Sequence, residues 1–319
     1  MEPSQSEVQE QNVIPSAVRD VATVSVAPSA RSIAAVVPQA CGTCGTASAG
    51  NGGTAASVGN RAAGLSPSYI YAIGRIEARF PSISVEKEFV QATSRSDTKT
   101  MTDRQAMHKV ISKTENRYLV RQLCWVMTIQ GLDTYILVPR DPADMTLLVD
   151  ALRPAPQPWD LDVVIGMKGP IAPPTMCNGL MVPIVMFDQI YSFDRESLMQ
   201  AAQASGDKKT SKAATEEVFD RLMQITDNAG GADEHRALNY LALRYQAIYA
   251  QAADAFARNT SLSGVDVRPS PLSGTRNIVD VIFTYTNRDT DVDEKQAVQV
   301  DVTDEFPFLV RKLGPWYSR

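Results

Sequence analysis

Hydrophobic and polar residues follow different patterns before and after Pro67. Residues 1–66 are dominated by Ala, Ser, Gly and Val, and Arg31 and Arg61 are the only charged side chains between residues 21 and 61. Small side chains bury too little apolar surface to offset the entropy that is lost when a backbone becomes ordered. The pattern therefore predicts a disordered, low-complexity tail over residues 1–66 and a folded domain over residues 67–319.

Apolar residues of the domain alternate in some segments and recur with helical spacing in others, which indicates a mixed structure. Predicted strands cover residues 69–76, 134–138, 161–167 and 180–188, and a C-terminal β-hairpin pairs residues 278–286 with residues 296–302. Predicted helices cover residues 84–90, 103–112, 116–127, 143–152, 195–204, 215–228 and 234–259. The predicted fold class is α+β, with mixed strands and helices in one compact domain that ends in the hairpin.

Polar residues mark the expected starts of three helices. Ser84 is predicted to cap the first helix, and Thr102 or Asp103 the second. Asp141 followed by Pro142 predicts a third start, because proline fits the first helical position, where the backbone N–H has no partner within the helix.

The longest predicted helix carries apolar side chains around much of its circumference. Its aromatic residues are Tyr240, Tyr245, Tyr249 and Phe256. A helix that is apolar over so wide an arc is buried on several sides or contributes to an interface. The sequence therefore predicts a core helix, with a homodimer contact as the alternative.

Charge and composition argue against several classes of partner. The chain of 319 residues has 36 acidic and 31 basic side chains, a net charge of −5. Nucleic acids and anionic membrane surfaces require clustered basic residues, so neither is expected as a partner. The sequence contains no apolar run of about 20 residues, so no membrane-spanning helix is predicted. Residues 1–12 are acidic and polar, unlike a secretory signal. We therefore expect a cytoplasmic protein.

Four cysteines in a chain of this length do not predict a disulfide scaffold, so reduced thiols are expected. Cys41 and Cys44 form a CxxC in the tail, which supplies two of the four ligands of a structural zinc site. One interpretation is a pair of solvated thiols. Another is enzymatic heterocyclisation, since a Cys or Thr side chain beside flexible glycines can reach a backbone carbonyl. The possible modification sites are then Cys41, Thr43, Cys44 and Thr46.

The remaining candidates for chemistry are few. Cys124, on a predicted apolar helix, is expected to be a small buried residue, whereas Cys177 lies in a loop as an accessible thiol or metal ligand. His108 is expected on a helix surface, and His235 follows two carboxylates that favour its protonated form. Cys177, His108 and His235 are weak candidates for a zinc site, and no cofactor is otherwise expected. No nucleophile elbow or P-loop is present.

Several segments of the domain resemble a known family, the C-terminal domain of unknown function of PatG-type cyanobactin maturation proteases. They are residues 69–76, 115–125, 134–137, 164–170, 177–180 and 268–276. The resemblance is to a stand-alone version without the subtilisin-like protease domain, whose catalytic triad has no counterpart here. It implies a role in the maturation of ribosomally made peptides that carry thiazole or oxazole rings, and it implies no peptidase activity.

Three functional hypotheses follow. The first is a non-catalytic accessory domain, a homodimer that binds a precursor peptide or a peptide-maturation enzyme. Its predicted binding surface comprises Pro173, Pro174, Cys177 and Asn178 of one loop with Arg268 and Arg276 of another. The second is a precursor-like protein in which residues 41–53 are themselves the modified core peptide. The third is a cryptic zinc-binding or thiol-dependent enzyme.

Overall fold

The structure is a computed structural model that describes residues 67–94, 100–154, 160–194, 208–224 and 227–317. The predicted tail, with its candidate modification sites, and the helix predicted over residues 195–204 lie outside the described residues. Within the described ranges, no helix has the length and apolar character needed to cross a membrane.

Five strands close into a barrel in the order β1-β2-β3-β5-β4. They are β1 (Tyr69–Arg79), β2 (Cys124–Ile129), β3 (Leu132–Pro139), β4 (Leu161–Ile171) and β5 (Pro183–Phe193). All neighbours are antiparallel except β3 and β5, which are parallel. A Cβ atom on Gly166 would lie 2.3 Å from the carbonyl oxygen of Met186, so only glycine allows β4 and β5 to approach this closely.

Four helices in the described ranges pack against the core of the barrel. They are α1 (Ile83–Ser94), α2 (Asp103–Ile111), α3 (Arg117–Gln122) and α4 (Met145–Ala151). The predicted cap of α2 is confirmed. The Thr102 hydroxyl accepts from the Gln105 backbone amide, and the Gln105 side-chain carbonyl accepts from the Thr102 backbone amide. Asp141 likewise accepts from the Ala143 amide at 2.8 Å. Helix α1 begins at Ile83 rather than after Ser84. The Glu86 amide in its first turn donates to the Ser82 carbonyl.

The second half of the domain is a sheet with helices on one face. The helices are α5 (Lys208–Met223), α6 (Asp233–Arg244) and α7 (Ala247–Ala257). The antiparallel sheet follows the chain in the order β6 (Thr260–Pro269), β7 (Ile278–Asn287), β8 (Asp293–Asp301) and β9 (Phe308–Pro315). Alternate residues of β7 and β8, such as Phe283 and Val298, pack with Phe219 and Leu241 of the helices in one apolar core.

Residues 227–231 join the two halves. The Tyr71 amide of β1 donates to the Gly230 carbonyl at 2.9 Å, and the Asn239 side chain of α6 donates to the Tyr71 carbonyl at 2.8 Å. Gly230 has a φ of +72°, and a Cβ atom there would lie 2.5 Å from the Cα atom of Ala72. The barrel and α6 therefore meet through a contact that requires glycine.

The α+β prediction is confirmed, but two helices are shorter than predicted. The helix predicted over residues 116–127 ends at Gln122, and the chain continues as β2, so Cys124 lies on a strand. The helix predicted over residues 234–259 is two helices, because Tyr245 leaves the helical conformation with φ −119° and ψ 83°. The Tyr245 hydroxyl accepts from the Leu313 amide at 3.0 Å, which ties this break to β9.

The predicted C-terminal hairpin is present as β7 and β8, but it is the centre of a larger sheet. Strands β6 and β9, which were not predicted, pair on either side of it. Both have irregular registers, with a shift between Leu262 and Gly264 in β6, and such a shift interrupts the alternation on which a strand prediction depends.

Candidate functional site

A groove with a volume of about 440 Å³ lies between the end of α2, α3 and α4. Its floor is apolar and includes Ile111 and Val120, which are 1% and 3% exposed. Met145 and Val149 of α4 form the opposite wall. The cavity falls within the size range of small-molecule and peptide side-chain pockets.

Two arginines of α3 stand along the rim of this groove. Arg117 and Arg121 are four residues apart, and this spacing places both side chains on one face of the helix. Both are exposed, and neither guanidinium forms an ion pair or hydrogen bond with another of the described residues. Leu119 and Val120 fix the helix from its buried side. The groove therefore combines a firmly held apolar floor with two positive charges that no side chain in the described part of the chain neutralises.

The hydroxyl groups of Ser112 and Thr146 line the same groove. Ser112 Oγ donates to the His108 carbonyl at 2.6 Å, and Thr146 Oγ1 donates to the Ala143 carbonyl at 3.2 Å. A hydroxyl that has donated its proton keeps lone pairs that accept further hydrogen bonds. The groove thus offers acceptors for N–H groups beside donors for an anion.

His108 lies beside this site, and its Nε2 is 3.2 Å from Ser112 Oγ. Burial lowers the pKa of His108, and the nearby Arg153 and Arg104 lower it further, whereas Asp150 acts in the opposite direction. A lowered pKa favours the neutral imidazole at pH 7.

A second cavity, of about 360 Å³, lies on the other side of Asp150 at one end of the barrel. Its buried acid is Asp162, which is 4% exposed and whose pKa is raised mainly by burial. Asp162 accepts from the Ile76 amide at 2.9 Å and from Ser192 Oγ at 2.5 Å. Arg104 donates to the carbonyls of Ile76 and Ala151. These hydrogen bonds hold the end of the barrel together, so we interpret this cavity as structural.

The loop predicted to bind a partner folds against the outside of the barrel. Cys177 is 4% exposed and forms a disulfide with Cys124 of β2, across a Cα–Cα distance of 5.6 Å. For Cys124 and Cys177 the prediction of reduced thiols is therefore wrong, as are the predictions of an accessible Cys177 and of Cys177 as a metal ligand, whereas Cys41 and Cys44 lie outside the described residues. Pro173, Pro174 and Asn178 remain on the surface.

Of the two arginines of the predicted binding surface, Arg268 lies on β6 and Arg276 lies in the connection between β6 and β7. The Arg268 guanidinium lies 4.6 Å from the centre of the Trp316 ring. Arg276 pairs with the fully buried Asp301 at 2.5 Å and lies 4.9 Å from the Phe308 ring centre. No hydrogen bond, ion pair or ring contact described for these residues joins either arginine to the loop around Cys177, and a shared binding surface of the two segments stays a prediction.

The other metal candidates do not converge either. His235 is in the first turn of α6, and burial lowers its pKa more than Glu234 and Asp227 raise it, contrary to the expected protonated form. Among the residues that the structure describes, no group of three or more His, Cys, Asp or Glu side chains could hold a metal ion.

One charged cluster connects the barrel to the segment between β8 and β9. Arg140 Nη1 lies 3.0 Å from Asp188 Oδ2 and 3.7 Å from Glu305 Oε2. Burial, with Asp188 nearby, raises the pKa of Glu305 to about 7. Arg236 of α6 is 3% exposed and donates to the carbonyls of Val302 and Asp304 in that segment. The cluster holds two layers of the fold together.

Arg117 and Arg121 were not predicted as site residues from the sequence. The available signal was a pair of arginines four residues apart beside the apolar Leu119 and Val120. Because the helix was predicted to run to residue 127, its short length and its position opposite α4 were not foreseen.

Comparison with known proteins identifies relatives of the whole region that contains the groove. The sequence profile of the family described as PatG Domain matches residues 69–268. A solved structure described as "PatG Domain of Unknown Function" resembles the chain with a TM-score of 0.65, over 78% of this chain and 98% of that one. The two sequences are 19% identical, so this likeness concerns the fold. Among curated proteins no similar chain was found.

Proposed function

Because the chain belongs to the PatG domain family, we propose that it is a non-catalytic accessory protein of PatG-like, cyanobactin-type peptide biosynthesis. In this proposal the domain binds a precursor peptide or its modified product. The observation that carries the proposal is the groove between α2, α3 and α4. A peptide-binding role needs a concave apolar surface with a few polar groups that fix the orientation of the ligand, and the groove offers both.

The construction of the groove supports binding of a flexible chain. Its floor residues Ile111 and Val120 belong to the core of the barrel domain, so the floor needs no reorganisation when a ligand binds. Met145 of the wall is only partly buried, and the unbranched thioether side chain adapts to ligands of different shape. A set of related peptides with different side chains suits such a surface.

The experiment blocks the groove while leaving the fold intact. Ala143 lines the groove and is exposed, so Ala143→Trp fills the cavity without entering the core. Ala257 is exposed at the end of α7, and Ala257→Trp is the matched control. Binding is measured by the fluorescence anisotropy of labelled, C-terminally amidated octapeptides rich in Leu, Phe and Cys-Gly or Thr-Gly pairs.

We expect wild-type protein and Ala257→Trp to bind members of this panel with the same affinity. Ala143→Trp is expected to bind at least about tenfold more weakly, since a filled pocket loses the burial of one apolar side chain, worth about 1.5–3 kcal/mol. Absence of binding to every peptide, or equal affinity for both tryptophan variants, would contradict the proposal.

A further inference from the structure

We propose that the groove recognises the C-terminal carboxylate of a peptide whose last side chain is apolar, with Arg117 and Arg121 as the carboxylate receptors. This inference rests on the proposed function and specifies its ligand. The apolar floor would receive the last side chain, and the arginines on the rim would receive the carboxylate beside it.

The charge arrangement of α3 favours an anionic ligand. Like charges four residues apart on a helix repel each other, and neither guanidinium of this pair has an acidic partner among the described residues. The acidic residue that lines the groove, Asp150, is on α4 and lies 3.9 Å from Arg153. A bound carboxylate would relieve the repulsion, and the planar guanidinium fork matches a carboxylate in two parallel hydrogen bonds.

The position of the arginines links the charge to an apolar group. Val120 is adjacent to Arg121 in the sequence and forms the floor, whereas the arginines stand on the rim of the same groove. A volume of about 440 Å³ accommodates one large side chain and the backbone that follows it. A ligand that satisfies both features has an apolar body next to a carboxylate.

The hydroxyl groups distinguish a peptide from other apolar carboxylates such as fatty acids. Ser112 and Thr146 each donate their proton to a backbone carbonyl, so towards the groove they act as acceptors. A peptide brings N–H donors next to its terminal carboxylate, and a fatty acid brings none. The combination of arginine donors and hydroxyl acceptors therefore matches the last residues of a peptide chain.

The test uses the full-length chain and one labelled peptide in two forms. Fluorescein-labelled Gly-Ala-Leu-Phe is titrated as the free acid and as the C-terminal amide, with fluorescence anisotropy as the readout. The free acid is expected to bind at least about tenfold more tightly, because a charge-assisted hydrogen-bond pair is lost in the amide. Equal affinity for the acid and the amide would overturn the inference.

Variants assign the effect to the two arginines. Arg117→Ala with Arg121→Ala is expected to abolish the preference for the acid, and replacement of both by Lys to reduce it, since Lys lacks the fork. Arg311→Ala with Lys312→Ala removes two exposed positive charges from β9 and is expected to keep the preference in full. An acid preference that survives loss of both α3 arginines would contradict the assignment.

Competition separates the two sources of an apolar carboxylate. Octanoate is expected to displace the labelled acid only at concentrations at least about tenfold above those of unlabelled Gly-Ala-Leu-Phe acid, since it lacks the N–H donors. Equal displacement would overturn the peptide assignment. If amidated peptides still bind in an Ala143-dependent manner while acid and amide bind equally, the proposed function stands and this inference fails.

Discussion

At the residue scale, Gly230 carries the contact between the barrel and α6. Its φ of +72° and the 2.5 Å distance from an added Cβ atom to Ala72 Cα leave no room for a side chain. We expect Gly230→Ala to lower the free energy of unfolding by about 3 kcal/mol, through backbone strain and displacement of β1. Urea denaturation measures the change.

Gly274→Ala is the matched control for this substitution. A Cβ atom on Gly274 meets nothing within 4 Å, and Gly274 is not among the described glycines with a positive φ. The control is expected to change stability by no more than about 0.5 kcal/mol. Similar unfolding midpoints for the two variants would contradict the role given to Gly230.

Glu305 provides a pH dependence at the same scale. Its pKa is about 7 in the folded protein against an ordinary value of 4.5, because burial and Asp188 disfavour the charged form. The folded state therefore holds this proton more tightly, and stability falls as the pH rises from about 4.5 to about 7. Glutamine mimics the protonated acid, so Glu305→Gln is expected to lose this dependence.

Urea denaturation at pH 5 and at pH 8 tests this expectation. Relative to wild type, Glu305→Gln should be more stable at pH 8 than at pH 5. Glu115→Gln, a substitution of an exposed glutamate, should show no such difference. A pH-independent difference between Glu305→Gln and wild type would refute the account.

At the element scale, a prediction was correct where the apolar residues fitted only one periodicity, and it was wrong where they fitted both a strand and a helix. Residues 69–76, 134–138 and 161–167 are strands as predicted. All six residues of β2 are buried, so no alternation was visible, and the apolar positions of residues 116–127 also fit a helix. Trp125 Nε1 donates to the carbonyl of Val120, five residues earlier, at 3.0 Å, and the spacing of apolar residues does not reveal such a side-chain hydrogen bond.

The disulfide links two elements that are separated by 53 residues in the sequence. In the chain-entropy model, closing a loop of this length removes conformational entropy from the unfolded chain and so raises its free energy by about 4 kcal/mol. We expect dithiothreitol to lower the thermal midpoint of the wild-type protein and to leave the midpoint of Cys177→Ser unchanged. A wild-type midpoint that does not respond to the reductant would contradict a bonded Cys124–Cys177 pair.

At the scale of the whole molecule, the sequence was sufficient for the fold class and the family, but not for the site. The groove is assembled from α2, α3 and α4, and the strands β2 and β3 separate α4 from the other two helices in the sequence, so only the closed barrel brings all three together. The proposed homodimer, the cytoplasmic location and the modification of the tail stay predictions. The central claim is that this assembled groove is where the protein binds peptides.

The most direct test of that claim is the anisotropy titration of labelled amidated octapeptides with wild-type protein, Ala143→Trp and Ala257→Trp. The account predicts equal binding by wild type and Ala257→Trp, and at least about tenfold weaker binding by Ala143→Trp. Binding that is unchanged when tryptophan fills the groove, or no binding by the wild-type protein, would contradict it.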